Sequence, residues 1–343
     1  MKLIRFTTAD SPSPQFGVVV RDQAVAFANL QRKAAKPSPY LADSRVYLAN
    51  LPGSERAAKE LLAWGEQHFD ELGPGDRFPL ESVRLLEPIE VVALFDFGLT
   101  PRHLKNSAET IGKYEQDNPQ TAPLLQAFAK AVMAPKPKPP AGQPEALSYY
   151  KSNMNTIVGD DETIPWPAYT SRLDVEPELA VVYGNEQQPV AGFCIFNDIS
   201  ARDIQATEFV GGFCLTKDMA KGNQLGPYLV TLDEVGDPYN LQVTVVVNGK
   251  VKYQGSTSEI SHRAEDVFAW LGFVAPLKPG SVAGFGTIPD CTGCDHDDFI
   301  DPGTAIEITI ERLGTLRCRF AEPIGKLLPS RWPVRESLRK YHG

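Results

Sequence analysis

The sequence predicts an α+β fold in which β-strands dominate. Beyond residue 90, most apolar residues fall in short runs rich in β-branched or aromatic side chains, such as VVALFDF, GFCIFND and LQVTVVV. Asn248-Gly249 stands between two such runs in VVVNGKVKY, which is the typical signal of a tight β-hairpin. Two helical stretches, APLLQAFAKAVM and SHRAEDVFAWLGF, interrupt the strands without alternating strictly with them. That order disfavours a doubly wound parallel sheet.

The chain is predicted to form two domains, residues 1–89 and residues 90–343. The first holds three short runs typical of strands, LIRFT, FGVVV and AVAFANL. They are followed by SERAAKELLAWGEQHFDEL, whose apolar residues recur at helical spacing. Turn residues in GPGDRFPLES and a connecting strand in VRLLEPIE place the boundary near residue 90. The smaller domain carries no pattern of residues suited to catalysis.

Composition and charge exclude several classes of partner. The 343 residues are 42% hydrophobic, which is enough to bury a sizeable core. The 43 acidic and 34 basic side chains give a net charge of -9, so the surface should repel nucleic acids and anionic membranes. The start MKLIRFTTAD lacks an apolar core and no apolar run is long enough to span a membrane, so neither a secretory leader nor a membrane span is expected. The five cysteines are too sparse for a disulfide scaffold. These features predict a cytoplasmic protein.

Four carboxylates lie at the ends of apolar runs in the larger domain. Glu176 and Glu178 alternate at the start of EPELAVVYG, so in a strand they would point to the same side. Asp96 ends VVALFDF and Asp198 ends GFCIFND. Each alone could be a solvated strand end, a turn residue or a helix N-cap. Together they suit a hard cation such as Mg²⁺, Mn²⁺ or Ca²⁺, and the lack of His and Cys argues against zinc.

The segment ISARDIQ after Asp198 is predicted to be helical. Arg202 and Gln205 would then lie on the same helix face as Asp198. An arginine and an amide beside a metal can hold a carboxylate or a developing oxyanion. The alternative is that Arg202 only pairs with a neighbouring aspartate.

His103 lies seven residues after Asp96 in DFGLTPRHLKNSAE, a stretch whose apolar periodicity is too weak to predict a buried helix. An imidazole can act as a general base near neutral pH without tuning. A histidine on a surface loop is the alternative interpretation.

Several motifs occur in an order that resembles one known family. LDVEPELAVVYG, FNDISARDIQ, the lysine of DMAKGNQLGPYLV, VNGKVKYQGSTSEI and PGSVAGFGT are similar to the core of the fumarylacetoacetate hydrolase family, across roughly residues 90–330. The closing IGKLLPS resembles the long, fumarylacetoacetase-type members. The resemblance implies a mixed β-roll catalytic domain preceded by a small α/β barrel-like N-terminal domain. It also implies a homodimer.

The resemblance implies roles for individual residues. The metal ligands would be Glu176, Glu178 and Asp198, joined in long members by Asp96 seven residues before the catalytic His103. The remaining site residues implied are the catalytic Arg202 and Gln205, the site lysine Lys221, and Tyr150 and Thr287 as substrate contacts. The family glutamate that orients the histidine has no clear counterpart here, and Asp290, Asp295 and Asp297 are all candidates for its place.

The reaction implied is metal-dependent hydrolysis of a carbon–carbon bond in a β-diketo or acylpyruvate-type acid, with Mg²⁺ or, alternatively, Mn²⁺ or Ca²⁺. Three related reactions stay open: dehydration of a 2-keto-3-deoxy sugar acid, decarboxylation of a 2-oxo diacid, and enol–keto isomerisation. A non-enzymatic metal-binding role is the alternative from another class. The expected partners are therefore a small keto or diketo acid and a second copy of the chain.

Overall fold

The structure, a computed structural model, describes residues 1–134, 137–209 and 212–342. This part of the chain contains nineteen strands and ten α-helices. The strands are β1 (Lys2–Thr8), β2 (Ser11–Val20), β3 (Gln23–Ala26), β4 (Arg77–Pro79), β5 (Arg84–Leu85), β6 (Ala93–Phe97), β7 (Tyr149–Lys151), β8 (Ile157–Val158), β9 (Glu162–Ile164), β10 (Leu173–Asp174), β11 (Pro177–Tyr183), β12 (Val190–Asp198), β13 (Ser200–Ala201), β14 (Asn223–Val230), β15 (Gln242–Val247), β16 (Lys250–Ser256), β17 (Ser281–Thr287), β18 (Ala305–Ile310) and β19 (Gly314–Phe320). The helices are α1 (Phe27–Ala34), α2 (Ser44–Ala49), α3 (Gly53–Gln67), α4 (Pro101–Glu115), α5 (Ala122–Met133), α6 (Arg202–Glu208), α7 (Cys214–Lys217), α8 (Leu232–Val235), α9 (Ala264–Val274) and α10 (Gly293–His296).

The largest sheet has twelve strands and draws them from both predicted domains. Its order is β4-β3-β2-β1-β14-β12-β11-β17-β6-β7, with β5 paired to β1 and β8 to β14. Strand β1 joins the N-terminal strands to β14 by antiparallel pairing of Lys2 with Val230. A five-stranded sheet, β16-β15-β18-β19-β9, and the short pair β10-β13 complete the β-structure of the described residues.

This architecture confirms the prediction of a mixed α+β fold in which strands dominate. The expected barrel-like N-terminal domain is not confirmed, because within the described residues none of the three sheets closes on itself. Strands β1 to β4 instead form one side of the open twelve-stranded sheet. The boundary near residue 90 stays a prediction. None of the described helices is long and apolar enough to cross a membrane.

The centre of the large sheet is buried on both faces. Along β11, Leu179 and Val181 belong to one hydrophobic cluster, whereas Ala180 and Val182 belong to a second cluster on the other face. All seven residues of β11 are buried, which explains why residues 179–183 form a continuous apolar run and do not alternate. Any polar side chain on these central strands is therefore withdrawn from water.

The predicted hairpin is confirmed. Val247 at the end of β15 pairs with Lys250 at the start of β16, so Asn248 and Gly249 form a two-residue turn. Both have positive φ, 50° and 76°, which is the backbone that this turn requires and that Asn-Gly adopts easily.

Most predicted helices are present, with three corrections. The predicted helix ISARDIQ begins only at Arg202, because Ser200 and Ala201 form β13. The run AVAFANL is not a single strand, because β3 ends at Ala26 and α1 begins at Phe27. The segment around His103 is not a loop, because it lies in the 15-residue helix α4. The buried face of α4 includes polar side chains, among them His103, Ser107 and Glu115, so apolar periodicity could not reveal it.

Candidate metal-binding and catalytic site

Neighbouring strands of the large sheet bring three of the predicted carboxylates together. Asp96 lies on β6, Glu178 on β11 and Asp198 at the end of β12. Strand β17 separates β6 from β11, and it contributes Gly284 opposite Asp96 and Thr287 opposite Glu178. One oxygen from each of the three carboxylates lies within 4.8 Å of the other two. The sheet order thus unites residues that are up to 102 positions apart in the sequence.

The three carboxylates are almost fully withdrawn from water, with exposures of 5% for Asp96, 1% for Glu178 and 0% for Asp198. Burial raises the pKa of Asp96, and burial together with the neighbouring carboxylates raises the pKa values of Glu178 and Asp198. Two of the oxygens, Oδ1 of Asp96 and Oδ1 of Asp198, have no hydrogen-bond partner among the described residues. Buried oxygens of this kind are costly unless a cation neutralises them.

The backbone beside the triad leaves room for these groups. A Cβ atom at Gly284 would lie 2.5 Å from Oε2 of Glu178 and 3.2 Å from Oδ1 of Asp96, so a larger residue would displace the carboxylates. The Gly286 amide donates a hydrogen bond to Oε2 of Glu178 at 2.9 Å. An all-oxygen, acidic donor set fits a divalent cation such as Mg²⁺ or Mn²⁺. Asp96, Glu178 and Asp198 are therefore the residues that could hold one.

Glu176, the fourth predicted ligand, lies outside this three-residue group. Its Oε1 forms an ion pair with the Arg202 guanidinium at 2.5 Å. Its Oε2 contacts the Lys217 ammonium and accepts a hydrogen bond from the Ser200 hydroxyl. Although burial raises the pKa of Glu176, the charges of Arg202 and Lys217 hold it well below its usual range. In this structure Glu176 is neutralised by cationic side chains, and its role as a metal ligand stays a prediction.

The lysine at the carboxylates is Lys217, not the predicted Lys221. The Lys217 ammonium on α7 contacts both Glu176 and Asp198 and donates a hydrogen bond to Ser200 at 2.6 Å. Burial lowers the pKa of Lys217, but the two carboxylates raise it further than burial lowers it. Lys221 instead donates to Glu162 on β9 at 2.5 Å, and its side chain is 40% exposed. The assignment of Lys221 to the site is therefore corrected.

His103 is buried, and its two ring nitrogens face two different acids. Its Nδ1 lies 2.8 Å from Oδ1 of Asp295 on α10, and its Nε2 lies 3.4 Å from Oε1 of Glu176. Burial lowers the pKa of His103, but Asp295 and Glu176 outweigh this effect and raise it to about 9. The backbone amide of Asp290 holds the other oxygen of Asp295 at 2.7 Å.

This geometry identifies the acidic partner among the three candidates. Asp295 contacts His103, whereas Asp297 accepts the Tyr114 hydroxyl at 2.6 Å and pairs with Lys113. The DCTGCDHDD segment contains several closely spaced aspartates, and the sequence did not distinguish which of them contacts His103. The turn into the short helix α10 decides which of them faces α4.

Arg202 and Gln205 lie together on α6, but Asp198 does not share this helix as predicted, because it ends β12 and the short strand β13 separates it from α6. The fully buried Arg202 donates to Oε1 of Gln205 at 3.0 Å and to Asp174 at 3.0 Å, besides its contact with Glu176. Sequence reasoning missed Asp174, which is fully buried just before the Glu176–Glu178 pair. Its position between the apolar residues Leu173 and Val175 was the available signal.

The two predicted substrate contacts lie at the carboxylates. The Tyr150 hydroxyl on β7 donates to Oδ2 of Asp198, and Tyr150 pairs with Asp96 across β6 and β7. Burial and the charge of Asp198 raise the pKa of Tyr150 well above its usual range. The Thr287 hydroxyl lies 3.5 Å from Oε1 of Glu178. Both side chains therefore lie beside the triad, and their contact with a substrate stays a prediction.

Comparison with known proteins identifies a matching family and similar chains. Residues 124–321 match the family described as fumarylacetoacetate (FAA) hydrolase C-terminal. An uncharacterized protein of Staphylococcus haemolyticus (strain JCSC1435) is 28% identical over 282 residues, which cover 74% of this chain and 90% of that protein.

Two solved structures share the fold over 94% of this chain. Maleylpyruvate hydrolase from Sphingobium sp. SYK-6, in complex with manganese(II) and pyruvate, is 18% identical and fully covered, with a TM-score of 0.63. The 5-carboxymethyl-2-hydroxymuconate delta-isomerase of Mycobacterium smegmatis is 22% identical and 99% covered, with a TM-score of 0.58. At this identity the likeness establishes the fold, and the two neighbours carry out different reactions.

Proposed function

The chain belongs to the fumarylacetoacetate hydrolase family, and from this premise we propose that it is a divalent-metal-dependent hydrolase. Its substrate would be a β-diketo acid of the acylpyruvate type, cleaved at a carbon–carbon bond. The observation that carries the proposal is the pairing of His103 with Asp295 beside a buried carboxylate triad. A positioned histidine–aspartate pair can activate water, which hydrolysis needs and isomerisation does not.

The triad supplies the site for the metal, with Asp96, Glu178 and Asp198 as its ligands. A divalent cation held there would polarise the keto oxygens of the substrate, and its positive charge would lower the pKa of the neighbouring His103 by repelling the imidazolium. The Tyr150 hydroxyl and the Thr287 hydroxyl, each beside one of these carboxylates, are available to orient the substrate.

His103 acts as the general base in this proposal. The Asp295 carboxylate accepts the Nδ1 proton and so keeps Nε2 as the nitrogen that takes a proton from water. The resulting hydroxide attacks the carbonyl next to the bond that breaks. The imidazolium formed is stabilised by Asp295 at 2.8 Å and by Glu176 at 3.4 Å, and it later returns the proton to the leaving carbon.

Two buried cationic side chains would stabilise the negative charge that develops on the substrate during attack. Lys217 contacts Asp198, and Arg202 reaches the Glu176 carboxylate that faces His103. Donors in a dry site stabilise an oxyanion more strongly than donors in water do. Gln205 holds a terminal nitrogen of Arg202 and so fixes the guanidinium plane. Lys217 takes the role that the sequence assigned to Lys221.

The test is a side-by-side assay of acetylpyruvate, a 2-keto-3-deoxy sugar acid and oxaloacetate, each with and without Mn²⁺ or Mg²⁺. Hydrolysis of acetylpyruvate should require the metal and should place oxygen-18 from labelled water in the product carboxylate. Loss of water from the deoxy sugar acid, or decarboxylation of oxaloacetate, with no cleavage of acetylpyruvate or a longer acylpyruvate would refute the hydrolase. A shift between enol and keto forms without cleavage would identify an isomerase.

The homodimer implied by the family resemblance is also proposed here. Sedimentation equilibrium of the purified protein should give a mass twice that of a single chain, which is 37.6 kDa. A monomer at micromolar concentration would contradict it.

A further inference from the structure

We propose that Asp174 is a positioning residue that holds both acidic partners of His103 in place. This inference rests on the proposed function in one respect, namely that His103 is the catalytic base. Asp174 ends β10, has 0% exposure and lies outside the carboxylate triad. Its own contacts lead to Asp295 on one side and to Glu176 on the other.

The Asp174 carboxylate accepts four hydrogen bonds. Oδ1 accepts the amide of Gly293 at 2.8 Å, and Oδ2 accepts Nε of Arg202 at 3.0 Å, the Thr292 hydroxyl at 2.5 Å and the amide of Cys294 at 2.8 Å. A buried carboxylate with four donors is a strong anchor, because removing it leaves each donor without a partner.

Two of these donors fix the helix that carries Asp295. The amides of Gly293 and Cys294 belong to the first turn of α10, which lacks a side-chain cap from its own N-cap residue, Thr292. Asp174, at the end of β10, accepts hydrogen bonds from these two amides and so caps the helix. A Cβ at Gly293 would lie 2.9 Å from Oδ1 of Asp174, so glycine lets the helix begin this close to the carboxylate.

A third donor fixes the cation that holds Glu176. Arg202 donates through Nε to Asp174, while a terminal nitrogen of the same guanidinium lies 2.5 Å from Oε1 of Glu176. That Oε1 is the atom 3.4 Å from Nε2 of His103. The planar guanidinium therefore transmits the position of Asp174 to the acid that faces the reactive nitrogen.

These contacts close a ring around the imidazole. It runs from Asp174 through α10 to Asp295 and His103, and returns through Glu176 and Arg202 to Asp174. The Thr292 hydroxyl braces the ring, because it donates to Asp174 and accepts the Arg202 guanidinium at 3.1 Å. A change at Asp174 should therefore move both partners of His103 without touching the substrate.

The test compares Asp174→Asn with Glu115→Gln. Glu115 is a matched control, because it is 2% exposed and accepts four donors, including Arg331 and the Trp332 indole, outside the ring. With the acylpyruvate that the wild type hydrolyses, Asp174→Asn should lower kcat about 10- to 100-fold and leave KM close to wild type. Glu115→Gln should leave kcat near wild type even if it lowers the melting temperature.

A second readout does not depend on turnover. In ¹⁵N-histidine-labelled protein with Mg²⁺, the Nδ1 proton of His103 should give a downfield NMR signal, identified by its loss in His103→Asn. Asp174→Asn should shift or broaden this signal, and Glu115→Gln should not. Thr292→Val, which removes only the bracing hydroxyl, should change it in the same direction, and it serves as the probe if Asp174→Asn does not fold.

The outcomes separate this inference from the proposed function. A folded Asp174→Asn, or Thr292→Val in its place, with an unchanged His103 signal overturns the positioning role, whatever the enzyme hydrolyses. A changed signal with no acylpyruvate cleavage by the wild type supports the ring and refutes the hydrolase. An equal loss of kcat and an equal signal change in Glu115→Gln would show that any buried carboxylate has this effect, and would also overturn the inference.

Discussion

Two lysines four residues apart, Lys217 and Lys221, have different environments in the fold. Lys217 lies at the end of α7 with 4% of its side chain exposed, against the site carboxylates. Lys221 follows in a turn with a positive φ of 59°, which directs its side chain outward to Glu162. No sequence spacing distinguishes the two, because the turn between them decides which one faces inward.

This difference predicts opposite effects of the same substitution. Lys217→Met should lower kcat by at least about 100-fold, because a buried donor to developing charge is lost. Lys221→Met should leave kcat nearly unchanged and cost at most about 1 kcal/mol of unfolding free energy, because its ion pair is half exposed. Steady-state kinetics and urea unfolding of both variants check this. Loss of activity in Lys221→Met alone would restore the assignment made from the sequence.

His103 carries a second prediction at this scale. His103→Asn should lower turnover by about 10² to 10⁴, the usual contribution of a general base, while manganese affinity stays near wild type. His68→Asn is the matched control, since His68 stacks on Trp64 in the N-terminal region and is 40% exposed. Turnover by His103→Asn at the wild-type rate would remove the histidine from the mechanism.

At the scale of elements, short segments carry the site. Helix α10 has four residues and α7 has four, yet they present Asp295 and Lys217. Neither is long enough to be stable alone, so both depend on contacts from strands and longer helices. Four residues make only about one helical turn, so their sequences cannot show helical periodicity. The positions of their side chains depend on the assembled fold.

Glu162 on β9 links this strand to Arg84 on β5, and its ionisation predicts a pH dependence of stability. Its oxygens accept Lys221 and Arg84, each at 2.5 Å. Although burial raises the pKa of Glu162, these two hydrogen bonds lower it below its usual value. Because the folded-state pKa is depressed, the stabilisation is complete above the unfolded-state value of about 4.3 and is lost as pH falls through the folded-state value.

The measurement is the unfolding free energy of wild type and Glu162→Gln at several pH values. Glu162→Gln should be less stable than wild type by about 1 kcal/mol at pH 7, and the difference should shrink as the pH falls below the unfolded-state value of about 4.3 and through the folded-state value. A difference that stays constant with pH would mean that packing, and not the charge of Glu162, stabilises this junction.

At the scale of the whole molecule, the order of the large sheet creates the site. Strands β7, β6, β17, β11 and β12 are consecutive neighbours, and each contributes a site residue. Because both faces of the sheet centre are covered by hydrophobic clusters, the carboxylates lie in a dry environment. A cation bound there would link β6, β11 and β12, so metal binding should stabilise the whole fold.

The expected size of this stabilisation by the metal follows from the linkage between metal binding and folding. At a Mn²⁺ concentration about 100 times the dissociation constant, the unfolding free energy should rise by about 2.7 kcal/mol. Chelation should remove this gain together with activity. Glu178→Gln should keep the fold but lose the metal-dependent rise in melting temperature. A metal-induced rise as large in Glu178→Gln as in wild type would place the cation elsewhere.

The sequence by itself determined the strand-dominated class, the hairpin at Asn248-Gly249 and most helices, because these depend on local patterns of apolar and turn residues. It also predicted Asp96, Glu176, Glu178 and Asp198 as one group, because acids at the ends of buried strands are unusual, and the structure brings three of these four together. Residue type and spacing also singled out His103, Arg202 and Gln205, and the motif resemblance added Tyr150 and Thr287. The roles of these five residues stay predictions although the structure places all of them within one connected site.

Only the tertiary structure decided the pairing of residues that are far apart in the chain. Asp295 is the acid that contacts His103, and Lys217, not Lys221, is the lysine at the site carboxylates. Arg202 and Lys217 are the cationic side chains that pair with Glu176. The tertiary structure also joined the N-terminal strands to the large sheet, where a separate barrel was expected. Local periodicity reports which face of an element is buried, whereas these choices depend on strand order and on turns of a few residues. Sheet pairing across more than a hundred residues leaves no local pattern in the sequence.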